Sequence, residues 1–158
     1  MNLFIELHQS LIKKLLDASV DFIIIGGYSV IFHGYPRTTG DIDIWLKPDN
    51  ENKKKLLPVL KHFNFDESDI NEVASFDFTE HLVFSIGEEP EKIDFITRIN
   101  LVEYDVADKQ KIIADIEGIK TPFLHLNHLV LSKINTGRAK DIADIEMLQQ
   151  VEAQKNKG

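Results

Sequence analysis

Two carboxylates placed two residues apart supply the first chemistry in this chain. The stretch Asp41-Ile42-Asp43-Ile44-Trp45-Leu46 alternates acidic and apolar residues up to Trp45, as a strand with one face toward a core does. On a strand, Asp41 and Asp43 leave one face while Ile42 and Ile44 leave the other. Neighbouring carboxylates repel unless a cation lies between them, and hard oxygen ligands of this kind favour Mg2+ or Mn2+. Asp94, in Lys92-Ile93-Asp94-Phe95-Ile96, is the candidate third acid on a later strand, and Asp77 on an earlier candidate strand competes with it. Three converging acids are what a two-metal site needs. The plainer reading of an Asp-x-Asp pair is two exposed acids on an edge strand, although Asp is uncommon in strands.

The surrounding residues suit phosphate. Gly26-Gly27 directly follows an apolar run, and glycines there let backbone amides approach a phosphate closely. A helix N-terminus just beyond would add its partial positive charge. Ser29 falls in the first turn, where its hydroxyl reaches phosphate or caps the helix. Arg37 sits in the short loop before the Asp pair and suits either a phosphate oxygen or Asp41 and Asp43 themselves. Near the C-terminus, Arg138, Asp141 and Asp144 recur at three-residue spacing. With Lys133 and Lys140 beside them, they fit a solvated helix with internal ion pairs, or a basic side wall from which Lys133 or Arg138 reaches a triphosphate. Asp144 reads as structural. The histidines at 8, 33, 62, 81, 125 and 128 show no ligand-like spacing and read as structural or exposed, His8 on a surface. The chemistry these residues fit is attack of an acceptor hydroxyl on an α-phosphorus, with pyrophosphate leaving and two ions assisting.

The elements that must position these groups follow from periodicity. Leu3, Phe4, Leu7, Leu11, Leu15 and Leu16 recur at helical spacing and predict a first helix. Phe22-Ile23-Ile24-Ile25 predicts a buried strand, followed by a short helix ending near Gly34 and a loop over 35–40. A surface helix is expected over 50–63, strands over 76–78 and 81–86, a tight turn over 87–90 and a neighbouring strand over 92–96. A short helix and one or two small strands occupy 100–122. Helices over 127–134 and 138–151 close the chain, with a frayed Lys-rich tail. The sum is an α+β fold: a mixed sheet with flanking helices and a C-terminal helical pair.

Composition narrows the function. With 158 residues, a single domain over 1–158 is expected, large enough to bury a core. There are 18 Lys and Arg against 26 Asp and Glu, a net charge of −8. That balance argues against sequence-independent binding to a long nucleic acid, but leaves room for a local basic pocket. The absence of cysteine excludes disulfides, thiolate zinc sites and cysteine nucleophiles. The apolar runs are too short to span a bilayer, and the N-terminus, which carries Glu6, does not read as a secretory signal. A soluble cytoplasmic protein with no membrane partner is expected.

Taken together, GGYSVIFHGYPRTTGDIDIWL and the later KIDFIT resemble the signature of the DNA polymerase β-type nucleotidyltransferase superfamily. The resemblance implies a nucleotidyltransferase-like sheet and assigns the site to Gly26, Gly27, Asp41, Asp43 and Asp94. The stretch from Gly34 to Asp43, Gly-x-x-Arg-x-Thr-x-Asp-Ile-Asp, is similar to two bacterial groups. One is the abortive-infection nucleotidyltransferase toxins and their stand-alone relatives; the other is the antibiotic nucleotidyltransferases. LSKINTGRAKDIADIEML resembles the end of the first group. The resemblance spans 22–46, 92–97 and 128–148, and departs from the pattern where Gly27 replaces the usual serine. It implies metal-dependent transfer of a nucleoside monophosphate from a triphosphate such as ATP to an RNA end or a protein, as a toxin with a cognate antitoxin. The alternatives are a lincosamide or aminoglycoside as small-molecule acceptor, or a non-catalytic nucleotide- or partner-binding module.

Overall fold

Six strands form one mixed sheet: β1 (Phe22–Ile25), β2 (Ile42–Leu46), β3 (Val83–Ile86), β4 (Ile93–Ile96), β5 (Ile112–Ile116) and β6 (Ile119–Phe123). Their order across the sheet is β3-β4-β2-β1-β6-β5. The structure is a computed structural model that describes residues 3–35 and 40–157; Arg37, a candidate phosphate ligand, lies outside the described residues. Strand pairs β1–β2, β3–β4 and β5–β6 are antiparallel, whereas β2–β4 and β1–β6 are parallel. The C-terminal ends of β1 and β6 therefore meet the N-terminal ends of β2 and β4 at one end of the sheet.

Alternation along the strands divides the core in two. Phe22, Ile24, Ile42, Ile44, Leu46, Ile93 and Phe95 face helices α1 (Glu6–Asp17), α3 (Asn50–His62) and α4 (Glu67–Ser75). Ile23, Trp45 and Ile96 face the opposite way. They meet Val30 of α2 (Gly26–Phe32), Tyr104 and Ala107 of α5 (Tyr104–Gln110), Leu129 of α6 (Leu126–Lys133) and Leu148 of α7 (Ala139–Lys157). Burial on both faces explains why β1 is an unbroken β-branched run. Ile23, Ile24, Ile42 and Ile44 are fully buried, each stabilising the fold by about 2 kcal/mol. The Asp49 side chain caps α3 by accepting from the Asn52 amide at 2.8 Å. The buried Asn52 side chain in turn bonds Asp21 and the Lys47 carbonyl. This pins the start of β1 to the end of β2. No helix among the described residues is long and apolar enough to cross a membrane.

Several elements differ from the sequence-based expectation. Residues 76–78 form a turn rather than a strand. Phe76 and Phe78 instead pack on Phe84, with ring centroids 5.4 and 5.9 Å away. α4 precedes that turn; it shows only Ile70 and Val73 to the core, too few apolar positions to reveal a helical period. The tail continues α7 to Lys157 instead of fraying. His8, expected on a surface, is fully buried. Its ring nitrogens lie 3.4 Å from the Tyr28 hydroxyl and 3.3 Å from the Glu91 carbonyl oxygen.

Candidate active site

The parallel pairing of β2 with β4 sets Ile42 opposite Ile93 and Asp43 opposite Asp94. Because the isoleucines point into the α1/α3 core, the two acids share the other face, at the sheet end where β1 gives way to α2. Asp41 precedes β2 by one position, and the next amide, Ile42 N, donates to the Lys92 carbonyl at 3.3 Å. Asp41 and Lys92 are thus strand neighbours, as Asp43 and Asp94 are.

β1 approaches the same place from the other side, with Ile25 paired to Asp43. The chain then turns at Gly26 with φ +69° and enters α2. A Cβ at Gly26 would lie 2.7 Å from Asp43 Cγ and 2.9 Å from its Cβ. Only glycine lets the turn lie this close to the carboxylate. Gly27 and Ser29 are buried in the first turn of α2; Ser29 Oγ has no hydrogen-bond partner among the described residues and is not presented to solvent.

The acids differ in their surroundings. Burial, then the charges of Asp94 and Asp41, push the Asp43 carboxyl up to about 6, against a weaker opposing pull from Lys140 and Lys133. Asp94 accepts a hydrogen bond from the Ser85 hydroxyl, its register partner on β3. Asp41 shares a hydrogen bond with Glu89 that holds the Glu89 carboxyl above its ordinary value. Lys92 Nζ lies 3.7 Å from Asp41 Oδ2 and 3.5 Å from Asp94 Oδ1. Asp77, the competitor for the third acid, lies elsewhere. It accepts from Asn50 Nδ2 at 3.1 Å and from the Thr79 amide at 3.0 Å, beyond the C-terminal end of β2, at the opposite end of the sheet from Asp43.

The α6–α7 corner faces the acids on the same side of the sheet. Lys133 is buried, 3.3 Å from Asp141 Oδ1 and 3.1 Å from Asp144 Oδ2. Arg138 Nε donates to Asp141 Oδ2 at 2.9 Å and Thr136 Oγ1 to the same oxygen at 2.7 Å. Burial raises the Asp141 carboxyl, but hydrogen bonds from Arg138 and Thr136 and the Lys133 charge outweigh it and hold it below its ordinary value. Lys133 is thus tied down, whereas the Arg138 side chain stays 71% exposed and Lys140 is exposed beside it. Removing Asp141 would strand a buried ammonium with one partner fewer. Asp141→Ala is expected to lower unfolding free energy by about 3 kcal/mol or more; an unchanged urea midpoint would show that the network is solvated rather than buried.

Lys92, Ser85 and Glu89 are the residues that sequence reasoning missed. Lys92 alone left a signal, since Lys92-Ile93-Asp94 places it on the face of Asp94 by alternation. Among the described residues, no three His, Asp or Glu side chains converge as a ready-made metal set. The donors nevertheless suit a divalent ion. They are carboxylate oxygens on one face, with a lysine ammonium already standing in as a cation between Asp41 and Asp94.

A mixed sheet that sets an Asp-x-Asp strand beside a third aspartate, against a glycine turn, is the arrangement that the resemblance to nucleotidyltransferases implies. The chain belongs to the family described as nucleotidyltransferase of unknown function (DUF6036), whose model matches residues 2–153. The fold is similar to that of the lincosamide antibiotic adenylyltransferase LnuA with lincomycin bound: TM-score 0.59, 17% identity, covering 96% of this chain and 99% of that one. It is also similar to ANT(2'')-Ia in complex with adenylyl-2''-tobramycin, at TM-score 0.57 and 14% identity over 93% of this chain and 91% of the other. An antigenic nucleotidyltransferase-like protein from Paracoccidioides brasiliensis matches at TM-score 0.54 and 19% identity, over 90% and 73%. At these identities the likeness is one of fold. No curated protein matches the sequence.

Proposed function

We propose that the chain transfers a nucleoside monophosphate from a nucleoside triphosphate to a hydroxyl of an RNA end or a protein, with Mg2+ or Mn2+ held by Asp41, Asp43 and Asp94. The observation that carries this reading is the parallel register that sets Asp43 beside Asp94, with Gly26 packed against the Asp43 carboxylate. When bound, the ions would neutralise the acids and the triphosphate and lower the pKa of the acceptor hydroxyl. The chain's own residues do the positioning. Ser85 orients Asp94, and the Gly26 turn keeps the start of α2 close to the acids so that its amides face phosphate. Lys140 and Arg138, whose charges reach Asp43, face the triphosphate, with Lys133 and Asp141 as the scaffold beneath Arg138. In the transfer, the acceptor hydroxyl gives up its proton to solvent and its oxygen bonds to the α-phosphorus as the bond to the pyrophosphate oxygen breaks and pyrophosphate leaves. A toxin role, restrained by an antitoxin, follows if the acceptor is an essential RNA or protein.

A second reading takes a small antibiotic as acceptor. It is favoured by the fold shared with LnuA and ANT(2'')-Ia over 99% and 91% of their lengths. Labelled triphosphates, offered in turn with Mn2+ or Mg2+, total RNA, lincomycin or tobramycin, separate the two. Label on RNA or on protein supports the first, and label on an antibiotic supports the second. Label on nothing, with wild type indistinguishable from Asp43→Asn, discards both. Within this site Asp94→Asn is expected to lower turnover on the order of a hundredfold or more, the scale of losing one group that stabilises transition-state charge. Asp77→Asn is expected to leave turnover unchanged. The reverse pattern would move the third acid to Asp77.

A further inference from the structure

Lys92 places a positive charge inside the acidic cluster. Alternation puts it on the face of Asp94, and the parallel register puts it beside Asp41. Its ammonium lies 3.5 Å from Asp94 and 3.7 Å from Asp41, with the side chain 33% exposed. A lysine ammonium is charged at neutral pH, so the two carboxylates share one cation.

We propose that Lys92 is the resident counter-ion of the site: its ammonium holds Asp41 and Asp94 together, and a divalent ion must expel it from between them in order to bind. The proposal rests on the metal-dependent reading above and adds a competitor built into the chain. An ammonium has three donors and no acceptor, so it cannot share in coordinating an ion. At a few ångströms a dication and an ammonium repel, and both would use the same oxygens. The flexible four-carbon stem and partial exposure give the side chain a route to solvent. Two of the three acids, Asp41 and Asp94, thus each have an oxygen within salt-bridge distance of the Lys92 ammonium.

The test is Mn2+ binding by the full chain, read from the electron paramagnetic resonance signal of the free ion. Lys92→Met is expected to bind Mn2+ about tenfold more tightly than wild type, the scale of one partly screened charge pair. Lys92→Arg keeps the charge and should stay near the wild-type affinity. Equal or weaker binding by Lys92→Met overturns the proposal. Asp43→Asn separates this failure from that of the underlying site: if wild type, Lys92→Met and Asp43→Asn bind Mn2+ alike, the ion is not at the cluster and both readings fall. Wild-type protein gives a second measurement should Lys92→Met fold poorly. With an amine-acylating ester and mass spectrometry, Mn2+ should speed modification of Lys92 severalfold relative to Lys120, which is 76% exposed. An unchanged or slower rate at Lys92 also overturns the proposal.

Discussion

Asp43→Asn is expected to lower nucleotidyl transfer by about a thousandfold or more, as expected for a group that serves both metal and triphosphate, while making the metal-free protein more stable at neutral pH. Burial and two neighbouring acids raise the Asp43 carboxyl to about 6 in the folded chain, from 3.8. Between those values the folded state binds more protons than the unfolded state. Stability from this group is therefore full at low pH and falls as pH rises from about 4 through about 6. The penalty at neutral pH is on the order of 3 kcal/mol, and asparagine removes it. Urea denaturation at pH 4.5 and 7.5, without metal, should show the variant gaining on wild type at the higher pH. A variant that loses both activity and cooperative unfolding at neutral pH would make Asp43 a structural residue instead.

Gly26→Val should be the most damaging single change outside the acids. Valine would have to hold φ +69°, which costs a non-glycine residue about 1–3 kcal/mol, and most for a β-branched one. Its Cβ would also meet the Asp43 side chain at 2.7–2.9 Å, so either the turn or the carboxylate must move. Both movements disturb the site. The expected result is a loss of stability of about 3 kcal/mol or more, together with transfer reduced at least as far as in Asp43→Asn. Gly26→Ala provides a milder step in the same direction. Transfer and melting temperature unchanged in both variants would show that the turn does not touch Asp43.

Much of this site was legible before the fold. Period-2 alternation told which way Asp41, Asp43 and Asp94 point relative to Ile42, Ile44, Ile93 and Phe95, because a strand permits only two directions. The apolar run ending in Gly26-Gly27 announced a buried strand meeting a helix, since such a run cannot stay in water and glycine marks the tight passage. Alternation misled at Phe76 and Phe78, where two aromatic side chains in a turn share the same spacing.

Alternation does not say which strands pair, or at what offset. That choice depends on burying Ile42 against Ile93 and Ile44 against Phe95, contacts between segments about fifty residues apart whose energies arise only when the whole sheet assembles. The register made Asp94 rather than Asp77 the neighbour of Asp43, brought Lys92 beside Asp41, and set Ser85 against Asp94. The same limit applied to the C-terminal helices. Spacing showed that Arg138 and Asp141 are neighbours, but Lys133 reaches Asp141 and Asp144 only across the α6–α7 corner. Packing that corner against the sheet buried Lys133 and left Arg138 and Lys140 exposed, a division governed by tertiary burial that sequence spacing does not encode.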